Sequence, residues 1–419
     1  MHLGGAAPGR MLRRYNLRVH VNVGTTGALL VPAVRLSSQN ERMPLRLAFF
    51  CAIIAAMSAA ELPHFKPHLI TRELQGGYQV VPVDLNKDGQ MDLLVVAEGM
   101  SELFWLEAPS WKKHVIASNL KGLINAAPYD YDGDGIPEIA LAHDFDMFPP
   151  HSLGTLTILK AKGDPREPWT AFPLDAYPTA HRVRWADIDG SGQKVLILAP
   201  LVGTASRPPE YVDHVPLLYY RPGEWKRHMI DDLEQGVLHG LTIVEPGHHE
   251  RDQIYTASFA GIRVRSLGAD NKWQATMLAK GAPGDWPKCG ASDVALGHTR
   301  AGRFMAAIEP WHGNQVAVYD ETKEGWQRRV LTSDIQDGHT IQTGDFNGDG
   351  NSEIVVGARG THNVLLYANN SGQWDGFTLE DDLPAASCAI ADMNGDSRLD
   401  IVCIGGTTLK WYENMGPPK

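Results

Sequence analysis

Four short segments of the chain place oxygen-bearing side chains at alternate positions. They are Asp84-x-Asn86-x-Asp88-Gly89-x-x-Asp92, Asp130-x-Asp132-x-Asp134-Gly135-x-x-Glu138, Asp345-x-Asn347-x-Asp349-Gly350-x-x-Glu353 and Asp392-x-Asn394-x-Asp396-x-x-x-Asp400. Oxygens at positions 1, 3, 5 and 9 with glycine at 6 form a compact Ca2+ loop. Carboxylates converge on one point only when a hard cation neutralises them. The bland reading of one such segment is an Asp/Asn/Gly hairpin turn. Four copies favour structural Ca2+, at up to four sites. In the fourth, Ser397 replaces the glycine. A fifth copy keeps Asp187, Asp189 and Ser191 but ends on Val195.

Histidine is the second residue type with chemistry in it. His181, Arg182, His239, Lys288 and His339 fall at the starts of apolar strand-like runs, as do Tyr78 and Asn125. His143, Asp144, His151, His214, His312 and His362 fall in connections that return to the same side, with Glu98, Glu309 and Arg359. Strand alternation puts these groups on the face opposite the acidic loops, at the mouth of a central channel. Imidazoles beside carboxylates and a few cations suit Zn2+ or another divalent metal, acid–base chemistry, or both. The alternative is a polar lining for a wet channel. No HExxH or comparable short motif is present, so any ligand set must be assembled from separate segments. His68, His114 and His228 are expected at a solvent-facing rim, and His248, His249 and His298 in turns.

The elements that must position these groups repeat with a period of about 50 residues, anchored at Asp84, Asp130, Asp187, Thr242, Asp293, Asp345 and Asp392. Trp111, Trp169, Trp225, Trp273, Trp326 and Trp374 mark a second landmark with the same period, and Phe65 supplies its seventh copy. Each unit reads as four strands: one before the acidic loop, one after it, a third, and the Trp strand. Seven such units predict an all-β chain, a single seven-bladed β-propeller of four-stranded blades over residues 61–419. The last unit lacks its Trp strand. Phe65–Ile70 is expected to fill that place and close the ring, because an open array exposes two sheet edges. A pair of β-sandwiches or a solenoid is the competing architecture.

Residues 43–60 read as a secretory signal peptide. Arg46 is followed by the apolar run Leu47–Met57 and by Ser58-Ala59-Ala60, a small-residue cleavage site. Residues 1–42 match no targeting class and read as a non-native upstream extension. The expectation is a secreted or periplasmic protein with no membrane span. Residues 1–60 hold seven Arg and one Glu, so the remainder carries 31 basic against 48 acidic residues within a net charge of −11. That balance argues against a nucleic-acid partner and fits bound cations. Cys51 leaves with the signal. Cys388 and Cys403 face one another across an expected hairpin, where a bridge is open, but two buried thiols are the expected state. Oligomeric state is not legible.

The acidic pattern resembles the FG-GAP repeat family, also called VCBS repeats, over residues 64–414. That resemblance implies the propeller and leaves function open, since such propellers serve adhesion modules and lyases alike. Ala180–Gly190, Leu196–Gly203, His239–Glu245 and Gly338–Gly350 look like the propeller part of aldos-2-ulose dehydratase and its bacterial relatives. By that resemblance the substrate would be a keto-sugar such as anhydrofructose, dehydrated with metal ions on the propeller. His181, His239 and His339 would be catalytic, with Arg182 and Lys288 carrying oxyanion charge. The full enzyme also has a cupin domain for isomerisation, and this chain ends after the last blade, so isomerase activity is expected to be missing. Two rivals stay open: a lyase of uronate-containing glycan, favoured by a basic aromatic groove, and a non-catalytic glycan- or protein-binding module, favoured by a flat face.

Overall fold

A computed structural model describes residues 62–417 apart from 248 and 249. The upstream extension, the signal segment with its cleavage near Ala60, and His248 and His249 lie outside the described residues. Every sheet is four-stranded and antiparallel. Six blades are continuous in sequence, spanning 77–118, 125–176, 180–235, 238–279, 293–332 and 338–380. The seventh combines 387–414 with Phe65–Thr71. The expected closure is therefore present: Phe65 pairs with Asn414 and Leu69 with Lys410, and the ladder continues to Thr71 opposite Leu409.

The blades follow from the residue pattern. In five of the seven units the second strand, such as Asp92–Ala97, Glu138–His143, Glu353–Ala358 or Asp400–Gly405, is buried along its whole length. These strands are apolar throughout because a neighbouring blade covers each face. The outermost strand, such as Thr170–Ala176, is largely exposed. The hydrophobic core is thus a set of seams between blades. One seam joins Leu94, Val96 and Trp105 of the first blade to Ile139, Leu141 and Trp169 of the second. The ring axis is left to polar side chains.

Several sequence expectations need correction. His114 is buried, stacked 4.8 Å from the Trp105 ring and bonded to Glu107 Oε2 at 2.7 Å. His68 and His228 are half-buried and stack on Trp411 and Tyr219. An imidazole beside an indole or phenol ring covers apolar surface that a free rim position would leave wet. His298 lies within the strand Asp293–Thr299. Cys388 and Cys403 are disulfide-bonded, with Cα atoms 4.1 Å apart. They are direct cross-strand partners, and that spacing brings their sulfurs into contact. Cys289 is the free cysteine among the described residues.

Removing residues 62–71 exposes the edge of the strand Thr408–Asn414 and uncovers the apolar cluster around Phe346, Leu383 and Tyr412, on which Leu62 and Phe65 pack. The truncated chain is expected to aggregate or to lose cooperative thermal unfolding. A single sharp transition like that of the intact chain would show that closure is dispensable.

Candidate functional site

One irregularity recurs at the start of the inner strands. The register of each of four of them shifts by one residue, between Gly77 and Gln79, Ala180 and Arg182, Leu238 and Gly240, and Gly338 and Thr340. The residues skipped are Tyr78, His181, His239 and His339. The other three inner strands, starting at Asn125, Asp293 and Ser387, pair without a break. A β-bulge leaves its extra residue unpaired and re-aims its side chain. Here four blades re-aim theirs to the same place.

The side chains meet at the axis. The His239 ring centroid lies 5.1 Å from that of His181 and 4.9 Å from those of His312 and His339. His312 comes from the loop between the second and third strands of the fifth blade. Nitrogens of His239, His312 and His339 all lie within 4.8 Å of one another. Their outward nitrogens are already engaged. His239 Nδ1 donates to the Ser292 carbonyl at 3.1 Å, and His339 Nδ1 donates to the Ala386 carbonyl at 2.5 Å. His312 Nδ1 accepts from Arg359 Nη2 at 3.1 Å and stands 3.2 Å from Asp337 Oδ1, a carboxylate to which Arg359 also donates at 3.0 and 3.1 Å. The carbonyl contacts leave the Nε2 lone pairs of His239 and His339 facing inward, as such partners orient metal-binding imidazoles, while the Arg359 donor at Nδ1 puts the His312 proton on Nε2.

A divalent ion fits this donor set. His239 Nε2 and His312 Nε2 are 3.3 Å apart, and His339 Nε2 is buried with no partner. The 3.3 Å contact is that of a hydrogen bond from His312 Nε2–H to His239 Nε2, which Arg182 Nη2 also faces at 3.4 Å, so a bound ion would take the place of that proton. Tetrahedral ligands about 2.0–2.1 Å from zinc stand roughly 3.3 Å apart. Burial holds the imidazoles neutral: it pushes His312 down to about 4 and His181, His239 and His339 well below the ordinary histidine value, with further pressure from Arg182 or Arg359.

His181 stands beside this trio. Its Nε2 is 3.0 Å from the Tyr78 hydroxyl, its Nδ1 is unpartnered, and Phe145 packs on its ring. Arg182 donates from Nε to the His239 carbonyl at 3.3 Å and lies over the Tyr78 ring. Beneath His339 the channel holds a cavity of about 40 Å³ bounded by Arg182, Arg184, Asn125, Thr340 and Asp293. Burial pushes the Asp293 carboxyl up to about 6 against the pull of the two arginines. The long loops after His143 and Leu201 pack together: Phe145, Leu201, Val202 and Tyr211 join Phe259, Trp286 and Trp311 in one apolar cluster.

The other candidates do not converge. His143 is buried against Thr157 Oγ1 at 2.9 Å, and Asp144 accepts from Thr155 at 2.6 Å. His151, His214 and His362 are exposed, and His214 Nδ1 donates to the Asp232 carbonyl. Lys288 is exposed in its loop, which removes it from the oxyanion role. His181, His239 and His339 are buried and His312 is half-buried, rather than placed at a channel mouth. Asp337 was not legible as a partner. Its only signal is its place just before Gly338-His339.

At the opposite end the sixteen acidic-loop residues fall where the spacing puts them, ahead of the strands Asp92–Ala97, Glu138–His143, Glu353–Ala358 and Asp400–Gly405. The first carboxylate of each loop accepts from the backbone N–H of position 6: Asp84 from Gly89, Asp130 from Gly135, Asp345 from Gly350 and Asp392 from Ser397. Ser397 reaches φ 67, in the left-handed region that the three glycines occupy. Burial and neighbouring carboxylates push Asp92 up to about 6 and Glu353 up to about 8. Asp84, Asn86, Asp88 and Asp92 offer an oxygen set suited to Ca2+, as do Asp345, Asn347, Asp349 and Glu353, and Asp392, Asn394, Asp396 and Asp400.

Residues 84–141 and 345–403 match the FG-GAP-like repeat, and residues 153–324 match the aldos-2-ulose dehydratase β-propeller domain. The chain is a propeller related to both. His181, His239 and His312 fall within the dehydratase-like stretch, and two of the four acidic loops fall within each FG-GAP match. No curated protein matches the chain. Among solved structures, BBS1N in complex with ARL6DN and the Dos1 propeller each superpose with a TM-score of 0.53 at 11% identity. They cover 85% of this chain and 99% and 96% of their own. At that identity the likeness is one of fold.

In this propeller, Tyr78→Phe removes the one hydrogen-bond partner that the buried His181 imidazole has among the described residues. The expected cost is about 1–3 kcal/mol, read as a lower urea midpoint. An unchanged midpoint would mean that His181 finds another partner.

Proposed function

We propose that the histidine centre carries out a metal-assisted β-elimination, the dehydration of a keto-sugar. The observation behind this reading is the convergence of three imidazoles, with a fourth left over, within the propeller related to aldos-2-ulose dehydratase. The division of labour follows from the contacts. His239, His312 and His339 would hold a divalent ion such as Zn2+, which supplies Lewis-acid stabilisation of the enolate oxygen. His181 stays neutral near pH 7 and accepts the proton from the carbon next to the carbonyl. Arg182 contributes positive charge toward the same oxyanion. The C–H bond breaks, the hydroxyl one carbon further leaves as water, and a conjugated enone remains. Convergence of three imidazoles on one point supports a keto-sugar over a long glycan in a basic aromatic groove.

The assay is ultraviolet absorbance from the enone, with anhydrofructose, other 2- or 3-keto sugars and glucuronate oligosaccharides as substrates. His181→Ala is expected to retain the metal and lose about two orders of magnitude in rate or more. His339→Ala is expected to lose both metal and activity, while His362→Ala changes neither. No absorbance with any substrate, together with no transition metal in the purified protein, would favour a binding module.

We also propose structural Ca2+ in the acidic loops opening at Asp84, Asp345 and Asp392. Chelation is expected to lower the melting temperature, since each ion bound only by the native state adds roughly 2.7 kcal/mol at a hundredfold excess over its dissociation constant. An unfolding curve unchanged by chelator and by added Ca2+ would leave these loops as plain turns.

A further inference from the structure

The four acidic loops are not equivalent, and the difference lies in the strand beside them. In each blade the third strand places one residue opposite the loop's last ligand. Continuing the ladders by one step puts Glu107 opposite Asp92, Lys160 opposite Glu138, Ala368 opposite Glu353 and Glu413 opposite Asp400. In the eroded third copy the same position holds Arg221, opposite Val195, and Arg221 pairs with Asp189 at 3.2 Å.

Lys160 reaches into its loop rather than away from it. Its Nζ contacts Asp132, stands 2.5 Å from Glu138 Oε1 and 3.2 Å from Asp134 Oδ2. These are positions 3, 9 and 5 of the ligand set. Asp130, Asp132 and Glu138 have carboxylate oxygens within 4.8 Å of one another. Lys87, from the first loop, adds a contact to the Asp134 carbonyl. The acids facing the first and seventh loops instead accept from the position-3 amide, Glu107 from Asn86 at 3.1 Å and Glu413 from Asn394 at 3.3 Å, and pair otherwise with Arg166 and His114, and with Lys66 and His68. Arg398 touches its loop through Asp396 alone.

Charge explains why one loop recruits an ammonium. The loops at Asp84, Asp345 and Asp392 carry asparagine at position 3, so each holds three carboxylates. The second loop carries Asp132 there and holds four. An ammonium at the focus of three of them satisfies the demand that a metal ion would otherwise meet. A second cation at the same point would face strong like-charge repulsion.

We propose that the Lys160 ammonium occupies the cation position of the loop Asp130–Glu138, so that this blade closes its turn without Ca2+ while the other three loops take the ion. The third blade, with Arg221 on Asp189, is the same device carried further: the last ligand is gone and the internal cation remains. The ring therefore has two adjacent blades pinned by side-chain cations and three pinned by metal. This inference does not depend on the histidine centre.

The test counts Ca2+ bound per chain by titration calorimetry and elemental analysis, with Ca2+ present throughout so that every variant is loaded. Lys160→Ala and the closer-shaped Lys160→Gln should each raise the count by one over wild type, from three to four. In chelator their melting temperatures should fall below wild type, and Ca2+ should restore them. Asp132→Asn should leave the wild-type count unchanged, whereas Asp345→Asn should lower it by one. A wild-type count of four, or a count that does not rise in either Lys160 variant, overturns the proposal.

Discussion

Closure of the ring is the constraint on which everything else rests. Each blade is a small sheet whose two faces are apolar, and none can bury both alone. Only when Phe65–Thr71 completes the seventh sheet does each face meet a neighbour. Once that is achieved the seven inner strands stand around one axis at a fixed distance. Nothing apolar is required of the axis itself, because the seams between blades already hold the core. Polar groups can therefore gather at the centre while the second strands of the blades stay dry.

The geometry of the site is a local departure from that regular frame. Four bulges at one level of the inner strands insert one residue each, and the inserted residues are Tyr78, His181, His239 and His339. Burying several imidazoles together in low dielectric is costly when they are charged and cheap when they are neutral. Backbone carbonyls at Ser292 and Ala386 place the protons of His239 and His339 on Nδ1, and the Arg359 donor at His312 Nδ1 places that ring's proton on Nε2. The same arrangement that makes burial tolerable turns the unshared electron pairs of His239 and His339 inward.

The repeats made the architecture legible. Period, tryptophan landmarks and the missing last strand led directly to seven blades and to the strand that closes them, since each is written in local composition. The acidic loops were legible for the same reason. The histidine centre was legible only in part. Strand order put the right side chains on one face, but a bulge is a matter of pairing between strands, and no residue type announces it. Hence His312 and His362, both in equivalent connections, read alike, and only the structure separates them. His114 and the Cys388–Cys403 pair were misjudged because ring stacking and bridge closure depend on the register between adjacent strands, which sets Trp105 opposite His114 and Cys388 opposite Cys403. Lys160 carries no signal of its own in the sequence, because its role lies in standing opposite Glu138 on the neighbouring strand.

The strand pair that closes the ring also sets how the molecule responds to tension. Phe65 lies opposite Asn414, and the backbone of His64 bonds to Gly416 and Met415 just beyond. A force applied through residues 64 and 416 would load these bonds singly, from one end, as a zipper is opened. The same number of bonds pulled along the strand direction would share the load. Held by its flanks the ring is stiff, and drawn by these two points it opens at the seam first, releasing the inner strands from a common axis before any other blade is disturbed.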